Sequence, residues 1–392
     1  MNFLLIADSF IPQANSAAIL INDLSVEIKG KDNIFIVVPN NSIFNKTTVS
    51  FSKNKIVFRV RTFNSKSHFV LCRAFSELIN PLLMFLAIKF NKIRNYDGII
   101  WYSPSIFFGF IIEWLKTNKN IKSYLILRDI FPQWAVDIGI LKKGLVYYFF
   151  KFFERYQYSV ADRIGIQSIS NISFFRKNYP HYLKKVEVLE NWMHPINPIN
   201  TFIDLNKTQI KGRFIFVYAG NFGKSQEIEN LLTLVSFFKK NKNFGFLFVG
   251  RGSEFERVKK IILHKSFTNV FMLSHVPPQE LISVYKQCDI GLISLNLRHT
   301  THNIPGKFIS YLLSGLPVIA IVNKGNDLIE IINKNDLGVA LSSHNMKLFE
   351  NKFLKFIHGM NKKKIASRCI NFADKNYSPK KAAKQIISFF LA

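Results

Sequence analysis

The sequence is poor in three things. Cysteine is scarce, with only Cys72, Cys288 and Cys369 in 392 residues, which excludes a disulfide scaffold and fits a reducing compartment. Acidic residues are also few, 25 Asp and Glu against 53 Lys and Arg, leaving a formal net charge of +28. A field of that sign attracts polyanions or an anionic membrane face. Long apolar runs are missing as well. A membrane-spanning helix needs about 20 largely apolar residues; residues 80–90 and 104–115 come nearest, and both are too short and bounded or entered by charges. Asp8 interrupts the apolar start and no basic segment precedes it, so no signal peptide is expected. A cytoplasmic protein is expected, one that rests on the inner face of the membrane.

Apolar residues are plentiful at 48%, and phenylalanine alone contributes 40 positions, which excludes intrinsic disorder. Part of the phenylalanine, like the abundant Lys, Asn and Ile, fits AT-rich coding. The length suits about two or three domains.

Periodicity gives an α/β alternation. A buried-strand run at 2–7, a polar turn at 8–16, a helical pattern at 17–29 and a strand at 33–39 make a βαβ opening. Strand-like runs follow at 56–61, 97–101, 122–127, 162–167 and 185–189, with helices at 69–90, 106–117, 143–158 and 170–177 between them. Pro81 is expected to break 69–90 into two pieces. Residues 190–212 lack any period and mark a boundary. Beyond them, strands at 213–219, 244–249, 269–273, 289–295, 317–322 and 337–341 alternate with helices at 225–240, 253–263, 278–286, 306–314, 325–333 and 345–357, and helices at 360–373 and 379–391 close the chain. The pattern predicts two doubly wound, Rossmann-like α/β domains, 1–195 and 196–374, facing across a cleft. Ligands of such sheets bind beyond the carboxyl ends of the strands.

Three strand-end loops of the second domain carry the chemistry. In the first, Gly220-Asn221-Phe222-Gly223-Lys224 leads into the helix expected at 225–240. Its glycines allow close approach of backbone to ligand, and a helix N-terminus favours an anion. A phosphate site there competes with a tight turn bearing a solvent lysine. The spacing is neither G-x-G-x-x-G nor a P-loop, which disfavours a dehydrogenase or an ATPase. The second loop sets Arg251 between Gly250 and Gly252, in position to meet a nucleotide or to cap a surface turn. The third runs from Asn296 to Lys307 and brings Arg298, His299, His302 and Lys307 to one strand end before a helix. It reads as an anion or diphosphate site or as a solvated basic loop. No ligand spacing supports a metal.

In the first domain, Arg128-Asp129 follows a buried strand, either as substrate contacts or as a structural ion pair, and Asp8, Gln13, Asn15 and Ser16 form the equivalent polar set of the first loop. Residues 142–158 interleave aromatics with Lys142, Lys143, Lys151 and Arg155, the make-up of an interfacial helix or of a core helix with solvated lysines. Nucleic acid is not an expected partner. No zinc-finger or RNA-recognition motif occurs, and the basic residues spread over both domains.

Taken in order, Pro39-Asn40, Trp101-Tyr102-Ser103-Pro104, Arg128-Asp129-Ile130-Phe131-Pro132, Tyr218-Ala219-Gly220-Asn221, Asn303-Ile304-Pro305-Gly306-Lys307, Gly315-Leu316-Pro317-Val318 and Gly325-Asn326-Asp327-Leu328 closely resemble the bacterial family 4 glycosyltransferases, and within them the L-fucosamine transferases of O-antigen and capsule assembly. The resemblance covers nearly the whole chain. It implies the two-lobed GT-B fold, with the last helix (375–392) packing back on the first domain. It also implies a retaining transfer of N-acetyl-L-fucosamine, or a related N-acetyl-amino sugar, from its UDP donor to an undecaprenyl-diphosphate-linked sugar. No cofactor or metal is implied, and no Asp-x-Asp motif is present to hold one.

The same resemblance assigns residues. Gly220, Asn221 and Lys224 hold the donor diphosphate. The loop Asn303, Ile304, Gly306 and Lys307 offers backbone amides to the β-phosphate, with Lys307 or Arg298 supplying positive charge; Arg251 joins the donor-side candidates on the reading of its own loop alone. The family's usual glutamate pair falls on His302, near the donor hexose, and Ser310, near the ribose; the subgroup commonly lacks the pair. Gln226-Glu227 stands where a Lys or Arg is usual, which shifts that charge onto Lys224. Asp129 is the candidate for orienting the acceptor hydroxyl. The alternatives are another UDP-sugar donor such as N-acetylglucosamine, a two-lobed UDP-sugar epimerase, and a degenerate non-catalytic homologue.

Overall fold

A computed structural model describes the chain except residues 14, 29–32, 43, 53, 65–69, 92, 104, 118–120 and 343–344, and except the side chains of 70–74 and 346. Phe69, Pro104 and the Cys72 side chain therefore lie outside the described residues. The chain divides into two compact units, Met1–Trp192 with Pro379–Ala392, and Met193–Ser378.

The first unit runs β1 (Phe3–Ile6), α1 (Ser16–Glu27), β2 (Ile34–Pro39), β3 (Thr48–Ser52), β4 (Lys55–Val60), α2 (Val70–Phe90), β5 (Gly98–Ser103), α3 (Gly109–Thr117), β6 (Lys122–Leu127), α4 (Gln133–Asp137), α5 (Leu145–Val160), β7 (Arg163–Ile166), α6 (Ser170–Asn178) and β8 (Val186–Val188). The second runs β9 (Phe214–Asn221), α7 (Glu229–Phe237), β10 (Phe244–Arg251), α8 (Phe255–His264), β11 (Val270–Leu273), α9 (Pro278–Tyr285), β12 (Ile290–Ser294), α10 (Gly306–Leu313), β13 (Val318–Ile321), α11 (Asp327–Lys334), β14 (Gly338–Leu341), α12 (Met346–His358) and α13 (Lys362–Asn376). The last helix, α14 (Pro379–Leu391), returns to the first unit.

The sheets are ordered β3-β4-β2-β1-β5-β6-β7-β8 and β11-β10-β9-β12-β13-β14. Every pairing is parallel except that of β3 with β4. Apolar clusters cover both faces of each sheet, as a parallel sheet requires. Strand order reverses between β1 and β5 in one sheet and between β9 and β12 in the other. Those reversals open a crevice at the strands' carboxyl ends, and in the second unit it is flanked by the loops after β9 and β12.

The phenylalanines account for much of the packing. Phe216, Phe238, Phe246 and Phe353 are all buried on one face of the second sheet, each contributing about 1.5–3 kcal/mol by its removal from water. In the first unit α14 buries Ala382, Ala383, Ile386 and Phe390 against the sheet, and the Phe390 ring lies 5.1 Å from that of Phe3. Gly98 makes room for it, since a Cβ there would fall 2.6 Å from Phe390. Glu187 ties the helix down, accepting from Tyr124 Oη at 2.6 Å and from Gln385 Nε2 at 3.0 Å.

Three local expectations are corrected. Pro81 does not divide its segment: α2 continues through it from Val70 to Phe90. The neighbouring Asn80 anchors the helix instead, its side chain accepting from the Phe63 amide and donating to the Phe63 carbonyl, both at 2.9 Å. The helix expected at 225–240 is a 3-10 turn at Lys224–Gln226, a left-handed Glu227 (φ 42°) and then the shorter α7. The antiparallel edge strand β3 has no counterpart among the expected elements, because all five of its residues are exposed and show no burial period.

Candidate active site

β9 and β10 run in register to their ends, pairing Gly220 with Gly250 and Asn221 with Arg251. The close pairing needs glycine: a Cβ on Gly250 would lie 1.9 Å from the Gly220 carbonyl oxygen. Beyond the strand, the Tyr218 hydroxyl donates to the Asn221 carbonyl at 2.6 Å and the Phe222 amide donates to the Arg251 carbonyl at 2.9 Å. Asn221 and Arg251 are left exposed at the strand ends.

The turn at 224–227 is fastened to the loop after β12. The Asn296 amide donates to the Ser225 carbonyl at 2.8 Å, and Asn296 Nδ2 to that of Lys224 at 3.4 Å. Glu227, in its left-handed conformation, accepts from the Leu297 amide at 3.1 Å, and its carbonyl accepts from Ser294 Oγ at 2.9 Å. This carboxylate is therefore a brace between loops. Arg298 turns back on Asn296, whose Oδ1 accepts from its amide at 3.0 Å and its Nε at 3.4 Å. Lys224 stays exposed.

Lys307 is the focus of the site. It stands in the first turn of α10, and its ammonium comes back over the end of β9: a Cβ on Gly220, whose φ is +144°, would be 3.0 Å from Nζ. Nζ also lies 3.8 Å from the centroid of the Tyr218 ring. It is buried without a hydrogen-bond partner among the described residues, and burial pulls its pKa down to about 7. An ammonium buried over a ring face, with no carboxylate paired to it among the described residues, is costly, and an anion beside it would lower that cost. The helix start adds to it. Pro305 caps α10 without a side-chain bond, and of the first amides that of Phe308 is taken by the Pro305 carbonyl at 2.9 Å.

His302 is held by Asn323. Asn323 Nδ2 donates to the carbonyls of His299 at 2.9 Å and Thr301 at 3.1 Å, and lies 3.2 Å from His302 Nδ1. Its Oδ1 accepts from Asn326 Nδ2 at 3.0 Å, which fixes the amide's orientation. His302 Nδ1 thus faces the amide nitrogen, and which of the two donates depends on the ring tautomer. Burial lowers the His302 pKa, with Asp327 opposing and His299 adding to the shift. Asn326 also bonds the Asn303 carbonyl at 3.5 Å and caps α11 through the Leu328 amide at 3.0 Å.

The remaining candidates separate. Gly220, Asn221, Lys224, Arg251, Arg298, His302, Asn303, Gly306 and Lys307 share the loops at the carboxyl end of one sheet. The Ile304 side chain is in the core, so only its backbone is available to a ligand. The Ser310 hydroxyl meets the buried Tyr285 phenol. Asp129 belongs to the first unit, where it and Asp8 act on the buried Tyr102 phenol, whose pKa is raised first by burial. Its neighbour Arg128 is structural: it donates to the Leu189 carbonyl at 2.8 Å and stacks 4.6 Å over Trp192, and burial lowers its pKa to about 10. Among the described residues no group of three or more His, Cys, Asp or Glu is arranged to hold a metal.

Asn323 and Tyr311, whose hydroxyl accepts from the Ala219 amide at 2.9 Å, are absent from the sequence-based candidates. Both are uncharged and lie outside the glycine-rich stretches. Only the cap pattern Asn326-Asp327 signals that the loop after β13 takes part.

Residues 201–376 match the family model described as glycosyl transferases group 1. The probable glycosyltransferase WbjE of Pseudomonas aeruginosa is 23% identical over 280 residues, covering 70% of this chain and 69% of that protein. Among solved structures, sucrose-phosphate synthase from Thermosynechococcus elongatus superposes with a TM-score of 0.78 at 13% identity, covering 99% and 98% of the two chains. Anabaena HepE in complex with UDP and glucose gives 0.66 at 13% identity, covering 99% of each. The chain therefore has the GT-B fold of these proteins, and its residues 201–376 carry the likeness to the group 1 glycosyl transferases. The matched family segment contains β9 to α13, and with them every donor-side candidate residue.

Proposed function

We propose that this chain is a glycosyltransferase that moves an N-acetyl-amino sugar, N-acetyl-L-fucosamine by its sequence resemblance, from a UDP donor to a polyprenyl-diphosphate-linked sugar at an anionic membrane face. The observation that carries the donor assignment is the buried, unpartnered Lys307 ammonium over Gly220. A nucleoside diphosphate supplies the anion this arrangement lacks. HepE, of the same fold, is named as a complex with UDP and glucose.

In this reading Lys307, the backbone of Gly220 and Asn221 and the start of α10 hold the diphosphate, with Lys224, Arg251 and Arg298 around it. As the glycosidic bond to the diphosphate breaks, negative charge builds on the leaving oxygen. Fixed donors aimed there stabilise that charge most in the transition state. His302 presents to the sugar a half-buried ring that burial keeps from protonating. Ser310, engaged by Tyr285, is the weakest of the ligand assignments. Asp129 orients the acceptor hydroxyl. The residues supply the charge stabilisation themselves, so transfer proceeds without a metal.

The membrane assignment rests on α5. Leu145, Tyr148, Phe149 and Phe152 share one helical face and are 91%, 65%, 44% and 57% exposed, while Glu154 and Gln157 are buried. Phe110 and Trp114 of α3 are exposed too, and Phe110 stacks on Tyr156 of α5 at 4.0 Å. Lys142, Lys143 and Arg155 are exposed on or beside the helix. An apolar face edged by cations suits the interface of an anionic bilayer. Among the described residues no helix is long and apolar enough to cross a membrane.

The test is transfer from a panel of UDP-activated N-acetyl-amino sugars to a short polyprenyl-diphosphate N-acetylhexosamine, with EDTA present and products followed by mass spectrometry. A gain of one sugar mass from the L-fucosamine donor alone is expected. Transfer from UDP-N-acetylglucosamine instead would replace the sugar assignment. UDP binding without transfer from any donor would refute the acceptor, and no UDP binding would refute the donor site.

A further inference from the structure

The Lys307 side chain is enclosed by groups that carry no negative charge, and the ring face of Tyr218 answers its charge in part. Tyr218 from β9 lies beneath the ammonium at 3.8 Å, and Tyr311 follows one turn along α10; burial holds both phenols neutral by raising their pKa. The other ionisable groups of the surrounding loops are basic, Lys224, Arg251, Arg298, His299 and His302, or are committed elsewhere. Glu227 accepts from the Leu297 amide, and Asp327 acts on His302. Among the described residues no carboxylate pairs with Lys307, and Nζ has no hydrogen-bond acceptor.

We infer that Lys307 is a proton-linked receptor for the donor diphosphate: it stands neutral in the empty site and takes up one proton as the diphosphate enters, so that anion and counter-charge arrive together. The inference rests on the donor site proposed above. Without an anion, a dry site favours the uncharged amine; an oxyanion beside Nζ reverses that preference. The shift of this lysine to about 7 by burial sets the range in which the coupling operates. Linkage is reciprocal. Above about pH 7 the affinity for UDP falls as the proton becomes harder to recruit, by up to tenfold per pH unit, and release of UDP returns the proton to solvent.

Isothermal titration of the full chain with UDP at pH 8, in buffers of different ionisation enthalpy, reads the protons directly. At that pH free UDP is fully ionised, and uptake approaching one proton per UDP is expected for the unaltered protein, against none for Lys307→Arg, whose charge is permanent. Lys307→Met is expected to lower UDP affinity about 100-fold and to lose the uptake as well. UDP binding with no uptake by the unaltered protein would overturn the proton linkage and leave the donor site standing. So would undiminished uptake in whichever of the two variants still binds. No UDP binding by the unaltered protein would instead overturn the donor site itself.

Discussion

The Asn323 side-chain nitrogen stands 3.2 Å from Nδ1 of His302 and is shared with the carbonyls of His299 and Thr301. One buried amide thus fixes the path of the loop after β12 and stands against the ring of its histidine. Asn323→Leu strands two carbonyls and the ring nitrogen, at a cost of about 1–3 kcal/mol for such unpaired groups. A fall of several degrees in melting temperature is expected, with reduced turnover. Asn323→Asp places an acceptor against acceptors and lifts the His302 pKa. An NMR titration of the imidazole checks the second outcome, and an unchanged pKa would dismiss the contact.

Lys307 makes the stability of the empty protein pH-dependent. Its folded pKa, about 7, is below that of an unfolded lysine, with burial as the cause. Between the two values the unfolded chain binds more protons than the folded one, so this group favours folding increasingly as pH rises from about 7 towards 10. Relative to Lys307→Met, the unliganded protein should gain thermal stability across that window. Equal pH profiles for the two proteins would show that the ammonium is not desolvated.

Gly220 and Gly250 should respond differently to the same change. Alanine at Gly220 meets a φ of +144° and a lysine terminus 3.0 Å away, a strain of about 1–3 kcal/mol that the flexible side chain partly relieves by moving off the site. A folded protein with weakened UDP binding is expected, measured by titration. Alanine at Gly250 places Cβ 1.9 Å from a backbone oxygen, which cannot give way so easily. Loss of soluble folded protein is expected there.

The exposed face of α5 should govern vesicle binding. The triple change Leu145→Glu, Phe149→Glu, Phe152→Glu alters exposed positions and should abolish co-flotation with anionic vesicles at low salt while leaving UDP affinity unchanged. Flotation of the unaltered protein should weaken as salt screens its charge. Retained flotation by the variant would place membrane contact elsewhere.

Much of this protein is determined locally and can be read from the chain. The strand at 122–127 and the helix at 379–391 fall where their patterns place them, because a two-sided buried strand or an amphipathic helix writes its period into consecutive residues. The glycines and basic residues at the ends of β9, β10 and β12 stand out for the same reason.

Tertiary structure decided what depends on partners distant in the chain. Whether α5 turned its aromatics inward was open in the sequence, since its face is set by which neighbours offer Glu154 and Gln157 a buried place. The helix after Gly223 was shortened by a brace from Glu227 to Leu297, 70 residues on. The singular property of Lys307 is likewise invisible in a chain with 53 basic residues. Its charge is carried by the residue, but its burial over a ring face is imposed by Tyr218 and Gly220, which the fold brings from another strand.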